Sequence, residues 1–277
     1  MSDSQVNICI DDQLRLITAV LAASDWPDYE QAQLTHAVHP HAKQTRQYLA
    51  AYNTHPAVIW VNQVIEQGEP LDEVFTAVSQ NVQQEAFADF QTTTNLTAFW
   101  QEHTAEWDKA KNDLTDIFNQ SQLPAFLNQI SDAPITQTIR IMPNLTYPSL
   151  SPVLVSDFDT LTLMPPLPKA VGESPPWPYG EDPGWVHAEV CRRLVQFALA
   201  DTLTFLPENE HALLLHAAVT LYLETAVDEG EAMAYMVRSK KQHSVPTLPL
   251  VVENLRAYLA NPGEQLMATV INDLTRP

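Results

Sequence analysis

Stretches of different hydrophobic period follow one another along the chain, and their order narrows the fold more than any other feature. Over residues 1–130 apolar side chains recur at helical spacing. Asp12–Ala23 puts Leu14, Ile17 and Leu21 on one face, and Ala57–Gln67 does the same with Val58, Val61 and Ile65. Gly68 suits the C-cap of that second helix. Gln44–Asn53 reads as a helix ending before the Thr54-His55-Pro56 turn. Pro70-Leu71-Asp72 starts another, with proline in the first turn, where its missing N–H costs little. Asn95–Phe118 reads as one long helix carrying Leu96, Phe99, Trp100, His103 and Trp107, and Pro124 opens a short one. Then the period changes. Thr136–Met142 (TQTIRIM) alternates and is β-branched, which predicts a strand. Ser151–Leu163 predicts a hairpin, with Val153, Val155, Phe158, Leu161 and Leu163 in short runs around an Asp-rich turn. Helical spacing returns in Gly184–Ala200, Pro207–Val227, Gly230–His243 and Leu248–Ala260. The second of these is apolar nearly all round, so it is expected to be a buried central helix. Helices, a small sheet and helices again form an α+β pattern: mostly helical, with a small antiparallel or mixed sheet. The change of texture divides a helical N-terminal part, 1–130, from a part with the sheet and the C-terminal helices, 131–277, within one continuous domain or across two.

Composition removes several function classes. Among 277 residues there are six glycines and 21 prolines. Neither GxGxxG nor GxxxxGK[ST] occurs, so the usual nucleotide sites are not expected. Acidic residues outnumber basic ones 34 to 14, a formal net charge of −20. Phosphate backbones and anionic membrane surfaces both recruit clustered Lys and Arg, so neither a nucleic acid nor a membrane is expected as a partner. The longest apolar run, Ala212–Leu223, falls short of the ~20 residues that span a bilayer. Cys9 and Cys191 are too few for a disulfide framework. The first residues lack the basic and apolar regions of a signal peptide, so a cytoplasmic location is expected.

The stretch that bears on chemistry is Trp185-Val186-His187-Ala188-Glu189-Val190-Cys191, on a helix just after the strands. Residues i and i+4 stack on one helical face and can share a metal, as the two histidines of HExxH do, with the intervening Glu beside the open coordination position. Here His187 and Cys191 occupy the ligand slots and Ala188 the base slot. Glu189 is turned a further ~100° away, a poor substitute. The His187/Cys191 pair can in principle bind zinc, or be an ordinary histidine and an apolar cysteine on a buried face. Other histidines have plainer readings. In Thr35-His36-Ala37-Val38-His39-Pro40-His41 the proline is expected to break any helix, leaving a surface loop without fixed ligand geometry. His211 and His216 do not face each other well. Glu224 lies on the same face as His216, as a hydrogen-bond partner or a third ligand. Pro165–Pro183 is proline-dense, an extended surface loop in which Trp177 and Tyr179, with Trp185 beyond it, either line a cleft or pin the loop to the body.

At this point the chain resembles an uncharacterised bacterial family of zincin-like domains, predicted to be HExxH metallopeptidases. The likeness rests on the early helix and the Tyr52-Asn53-Thr54-His55-Pro56-Ala57-Val58 turn, and on Asn95-Leu96-Thr97-Ala98-Phe99-Trp100-Gln101-Glu102-His103. It rests also on the C-terminal order: strands, the HExxH-like helix, Ala218-Val219-Thr220, and a Leu-rich helix ending in Tyr258 and Asn261-Pro262. The resemblance implies a sheet beside a zincin-like active-site helix in 131–277. Intact members read His-Glu-Phe-Ser/x-His, so only His187 carries over. The family's downstream Glu-His pair aligns with Leu213-Leu214, and Glu210-His211 would reach that place only by a three-residue slip. A lost base alone costs on the order of 10²–10⁴ in rate. The expectation is therefore a degenerate, non-catalytic zincin-like protein that binds a peptide or protein partner and needs no cofactor. Its alternatives are a diverged zinc-dependent hydrolase using His187 and Cys191 with Glu210 or His211, and a structural accessory subunit of a larger assembly.

Overall fold

A computed structural model describes residues 6–31, 39–80, 82–131, 133–146, 152–168 and 175–261. His36 and residues 169–174 of the proline-dense loop lie outside that set. The fold is α+β and mostly helical, with one small mixed sheet. The chain forms two compact units. One comprises Asn7–Asn119 and Thr138–Asp182. The other comprises Met1–Val6, Gln120–Gln137 and Pro183–Pro277, as far as they are described.

The first unit holds β1 (Asn7–Ile8), helices α1 (Asp12–Ala23), α2 (Trp26–Gln31), α3 (Pro40–Leu49), α4 (Pro56–Glu66), α5 (Leu71–Ser79), α6 (Gln84–Thr93), α7 (Leu96–Glu102) and α8 (Thr104–Ile117), and strands β2 (Thr138–Ile141), β3 (Val153–Ser156) and β4 (Thr160–Met164). Helix α1 starts at Asp11, whose carboxylate accepts from the backbone N–H of Gln13 and Leu14, two donors left over at any helix start. Its next turns are buried almost all round, because α3, α4, α5 and α6 pack about it. The sheet order is β1-β2-β4-β3, with β1–β2 and β2–β4 parallel and β3–β4 antiparallel. The hairpin read from Ser151–Leu163 is therefore present, in the register Val153 opposite Met164 and Ser156 opposite Leu161. Asp72, in the first turn of α5, accepts from the Leu154 N–H of β3 at 2.9 Å.

The second unit holds α9 (Leu123–Ile130), α10 (Pro183–Ala198), α11 (Ala200–Thr204), α12 (Glu208–Ala226), α13 (Glu229–Gln242) and α14 (Leu248–Ala260). Helix α12 is central, as its all-round apolarity predicts: α9, α10, α13 and α14 all pack on it. Gly184 permits a close approach at the start of α10, since a Cβ there would sit 2.8 Å from the Glu231 side chain of α13. No described helix is long and apolar enough to cross a membrane.

Several expectations are corrected. Pro40 does not break a helix but begins one. It occupies the first position of α3, where proline loses no hydrogen bond, and the His39 imidazole accepts from the backbone N–H of His41 as the cap. The long helix over Asn95–Phe118 is two helices with a break at His103. The Thr104 hydroxyl donates to the carbonyls of Gln101 and Trp100, competing with the helical ladder at that turn. Helices α2, α6 and α11 and the short β1 lie outside the elements expected from the sequence. The strands share a unit with the N-terminal helices, while α10 belongs to the other unit.

Tyr179 resolves one alternative. It is fully buried, its hydroxyl donates to the Pro165 carbonyl at 2.8 Å and accepts from the Asn144 N–H at 2.9 Å, and so it pins the proline-dense loop. Tyr179→Phe leaves a buried N–H and a buried carbonyl unmet. A loss of about 2 kcal/mol of unfolding free energy is expected in urea titration; an unchanged midpoint would remove this pinning role.

Candidate functional site

Each unit contains histidines at depth. On α10, His187 and Cys191 point into the packed interior with Val190 and Leu194, 5% and 0% exposed, and Ala188 between them is 2% exposed. The His187 Nδ1 lies 3.0 Å from the Tyr222 hydroxyl of α12, and that hydroxyl lies 3.2 Å from Ser121 Oγ. Burial pushes the Cys191 thiol well above its ordinary value and the Tyr222 hydroxyl up likewise, so both stay protonated. Glu189, the residue after the base slot, is paired with Arg192 at 2.8 Å. Three other histidine and glutamate side chains considered for this site are engaged elsewhere. The His211 Nε2 reaches the Leu206 carbonyl at 3.0 Å. Glu224 grips the Arg256 guanidinium with both oxygens. His216, read as a partner for Glu224, instead meets the Tyr235 hydroxyl of α13 at 2.7 Å.

The unit with the sheet holds a cluster that the sequence reading divided between a surface loop and a helix. His41, in the first turn of α3, is 2% exposed. The indole N–H of Trp107 on α8 donates to its Nε2 at 3.1 Å, while its Nδ1 has no hydrogen-bond partner. His103 stands at the break between α7 and α8, its ring edge-on to that of His41 with centroids 4.9 Å apart. Its Nδ1 is 3.2 Å from Glu106 Oε1, one turn along. One ligand-type atom from each of His41, His103 and Glu106 lies within 4.8 Å of the others. Among the described residues this is the group of three that could hold a metal ion, and His187 and Cys191 are in no such group.

The electrostatics of the cluster follow from burial. Loss of hydration lowers His41 to a pKa of about 4, and the neighbouring His103 and His39 press the same way. His39 is lowered to about 4 by burial too, against the pull of Glu106. Both imidazoles are neutral at pH 7. Around them Phe99 lies against His103 and stacks on Tyr48, and the Arg15 guanidinium sits 4.0 Å over the Trp100 ring. The signal that could have located the cluster is local: His103 and Glu106 are three apart on one helical face, and His-Pro at a helix start leaves the next residue free to face the core.

The chain matches no protein-family model, and no curated protein or solved structure is similar to it.

His216 provides a pH test. It faces Tyr235, the His243 ring at 4.4 Å between centroids, and Arg192. Burial, then the His243 and Arg192 charges, lower its pKa from 6.5 to about 4. Between those values the unfolded chain binds a proton that the folded chain does not. The stability it supports is therefore complete above pH 6.5 and lost as pH falls toward 4, by on the order of 2 kcal/mol at pH 5. Urea midpoints at pH 7.5 and pH 5 should drop less in His216→Gln than in the wild type; equal drops would assign the dependence to other groups.

Proposed function

We propose that this chain is a non-catalytic binding protein on a zincin-like scaffold, acting through contacts with a peptide or protein partner. The observation that carries the reading is the closure of the α10 face to which the family resemblance assigns catalysis. Catalytic zinc needs deprotonated ligands, a carboxylate beside a bound water, and an open coordination position. On α10 the thiol is buried and protonated, alanine fills the base position, and the His187 ring is bonded to Tyr222 where α9 and α12 cover the helix.

Support for the binding half comes from the tip between β3 and β4. Phe158 is 96% exposed there. Asp157 holds the turn, one oxygen accepting from the N–H of Asp159 and of Thr160 and the other from the Thr160 hydroxyl at 2.7 Å. An aromatic displayed on a fixed turn pays little ordering entropy on contact. Asp157 and Asp159 beside it, and the formal charge of −20, favour a basic segment as the partner. The two thiols are free, in keeping with the cytoplasmic setting this reading assumes.

Two measurements test the proposal. Purified protein with added zinc should leave casein intact, and cleavage that disappears in His187→Ala would overturn the non-catalytic reading. Peptide display against the immobilised protein should enrich Lys- and Arg-containing sequences whose binding weakens about tenfold or more in Phe158→Ala at unchanged melting temperature. No enrichment, or equal binding by the variant, would overturn the binding reading.

A further inference from the structure

We propose that His41, His103 and Glu106 bind a divalent transition-metal ion of the zinc type, at a site independent of the α10 motif. The three side chains come from two parts of the unit, the start of α3 and the α7–α8 break with the first turn of α8, so an ion would tie those elements together. The His103–Glu106 spacing suits it, and His41 closes the set from within 4.8 Å. His103 Nδ1 and Glu106 Oε1 are 3.2 Å apart. Two ligands at ~2.0–2.1 Å from a tetrahedral ion are separated by about 3.3 Å. The donor set of two imidazoles and one carboxylate fits zinc and its neighbours rather than magnesium or calcium, which take oxygen ligands almost alone.

Access and depth are divided between the ligands. His41 is held rigidly below the surface, while the His103 and Glu106 side chains are 17% and 45% exposed. The ion would enter on their side and keep water in its fourth position.

Proton bookkeeping gives the site a signature. Neutral His41 has one lone pair, and the Trp107 N–H holds it at Nε2, which places the ring proton on the unpartnered Nδ1. An ion must take that lone pair. Either it replaces the indole at Nε2, or it binds Nδ1 and the ring proton moves to Nε2, where it faces the indole N–H. Both outcomes end the Trp107–His41 hydrogen bond. On His103 the proton shared with Glu106 passes through solvent from Nδ1 to Nε2, and the carboxylate turns to the ion. The Trp107 indole thus competes with the metal for one imidazole lone pair.

The experiment uses the full chain, stripped with a chelator and titrated with Zn²⁺ alone by calorimetry while tryptophan fluorescence is recorded. One zinc per chain is expected, with a fluorescence change that is lost in Trp107→Phe. His103→Ala and Glu106→Gln, both at partly exposed positions, should each weaken binding roughly tenfold or more. Trp107→Phe, lacking the competing N–H, should bind several-fold more tightly. Absence of stoichiometric zinc binding by the wild type, or unchanged affinity in both ligand variants, would overturn the proposal. Neither result bears on casein cleavage or on Phe158, so this inference and the binding reading fail separately.

Discussion

An imidazole enclosed in a protein interior has two polar nitrogens and little water to satisfy them. It is tolerated where a neighbour supplies a hydrogen bond. The three buried histidines described in this protein meet the requirement in one way, through the N–H or O–H of a large aromatic side chain. Trp107 serves His41, Tyr222 serves His187 and Tyr235 serves His216. Each pair joins two helices: α3 to α8 in the unit with the sheet, and α10 to α12 and α12 to α13 in the other. An aromatic residue suits the task because its ring supplies apolar burial while its polar edge supplies the bond. Helix packing within each unit is thereby fixed at a few polar points in an otherwise apolar interior. Those points are also where candidate chemistry has to be sought, since the same imidazoles are what a metal or a proton would use.

Much of the fold was legible because burial imposes a period. Leu14, Ile17 and Leu21, Val58 and Val61 of Ala57–Gln67, the alternating residues of the Ser151–Leu163 hairpin and the largely apolar α12 each announce a face to be covered, and these faces are covered except at Phe158, which stands exposed at the hairpin tip. What was not legible depends on interactions that leave no period. The two residues of β1 are a strand only because β2 lies alongside. At the break at His103 a threonine hydroxyl takes carbonyls of the preceding turn, and at the start of α3 His39 caps the helix ahead of Pro40. These last two errors concealed the cluster. A loop at His41 and an unbroken helix through His103 give no reason to bring the two rings together, whereas a helix starting at Pro40 and a break at His103 do. The α10 motif, by contrast, was visible as a spacing, but a spacing carries no information about depth.

Charge is organised by the scarcity of cations. With 14 basic residues against 34 acidic ones, arginine is placed where one guanidinium serves several needs. Arg256 takes Glu224 with both nitrogens and approaches Glu253, Arg192 takes Glu189, Arg238 takes Glu231, and Arg15 lies over Trp100 while paired with Asp12. The more exposed of these pairs, such as Arg238–Glu231, add little stability, of the order of a few tenths of a kcal/mol each. Their larger effect is to engage cations within the fold, so the surface that remains is more acidic than the sequence ratio alone suggests. Such a surface repels phosphate and carboxylate partners and attracts basic ones, chiefly through association rate and in a salt-dependent manner.

The two histidine sites differ in what their depth allows. At His187 the whole motif is sunk: imidazole, alanine and thiol lie together beneath α9 and α12, and the tyrosine that satisfies the ring is itself bonded onward to Ser121. Drawing a metal into that place would require a buried thiol to ionise and a satisfied chain of hydrogen bonds to come apart, with no carboxylate to offset either cost. At His41 only the anchoring ligand is sunk. Its companions stand at the boundary with water, one of them a carboxylate already at ligand spacing from the neighbouring ring. The opposing interactions there are the indole N–H on His41, worth about 1 kcal/mol net, and the half-exposed His103–Glu106 hydrogen bond. An ion that gains two nitrogens and a carboxylate oxygen outweighs both. Differences in depth and in the number of bonds to be broken, rather than any resemblance to a motif, therefore favour the cluster at the helix break as the place where this chain can hold a metal.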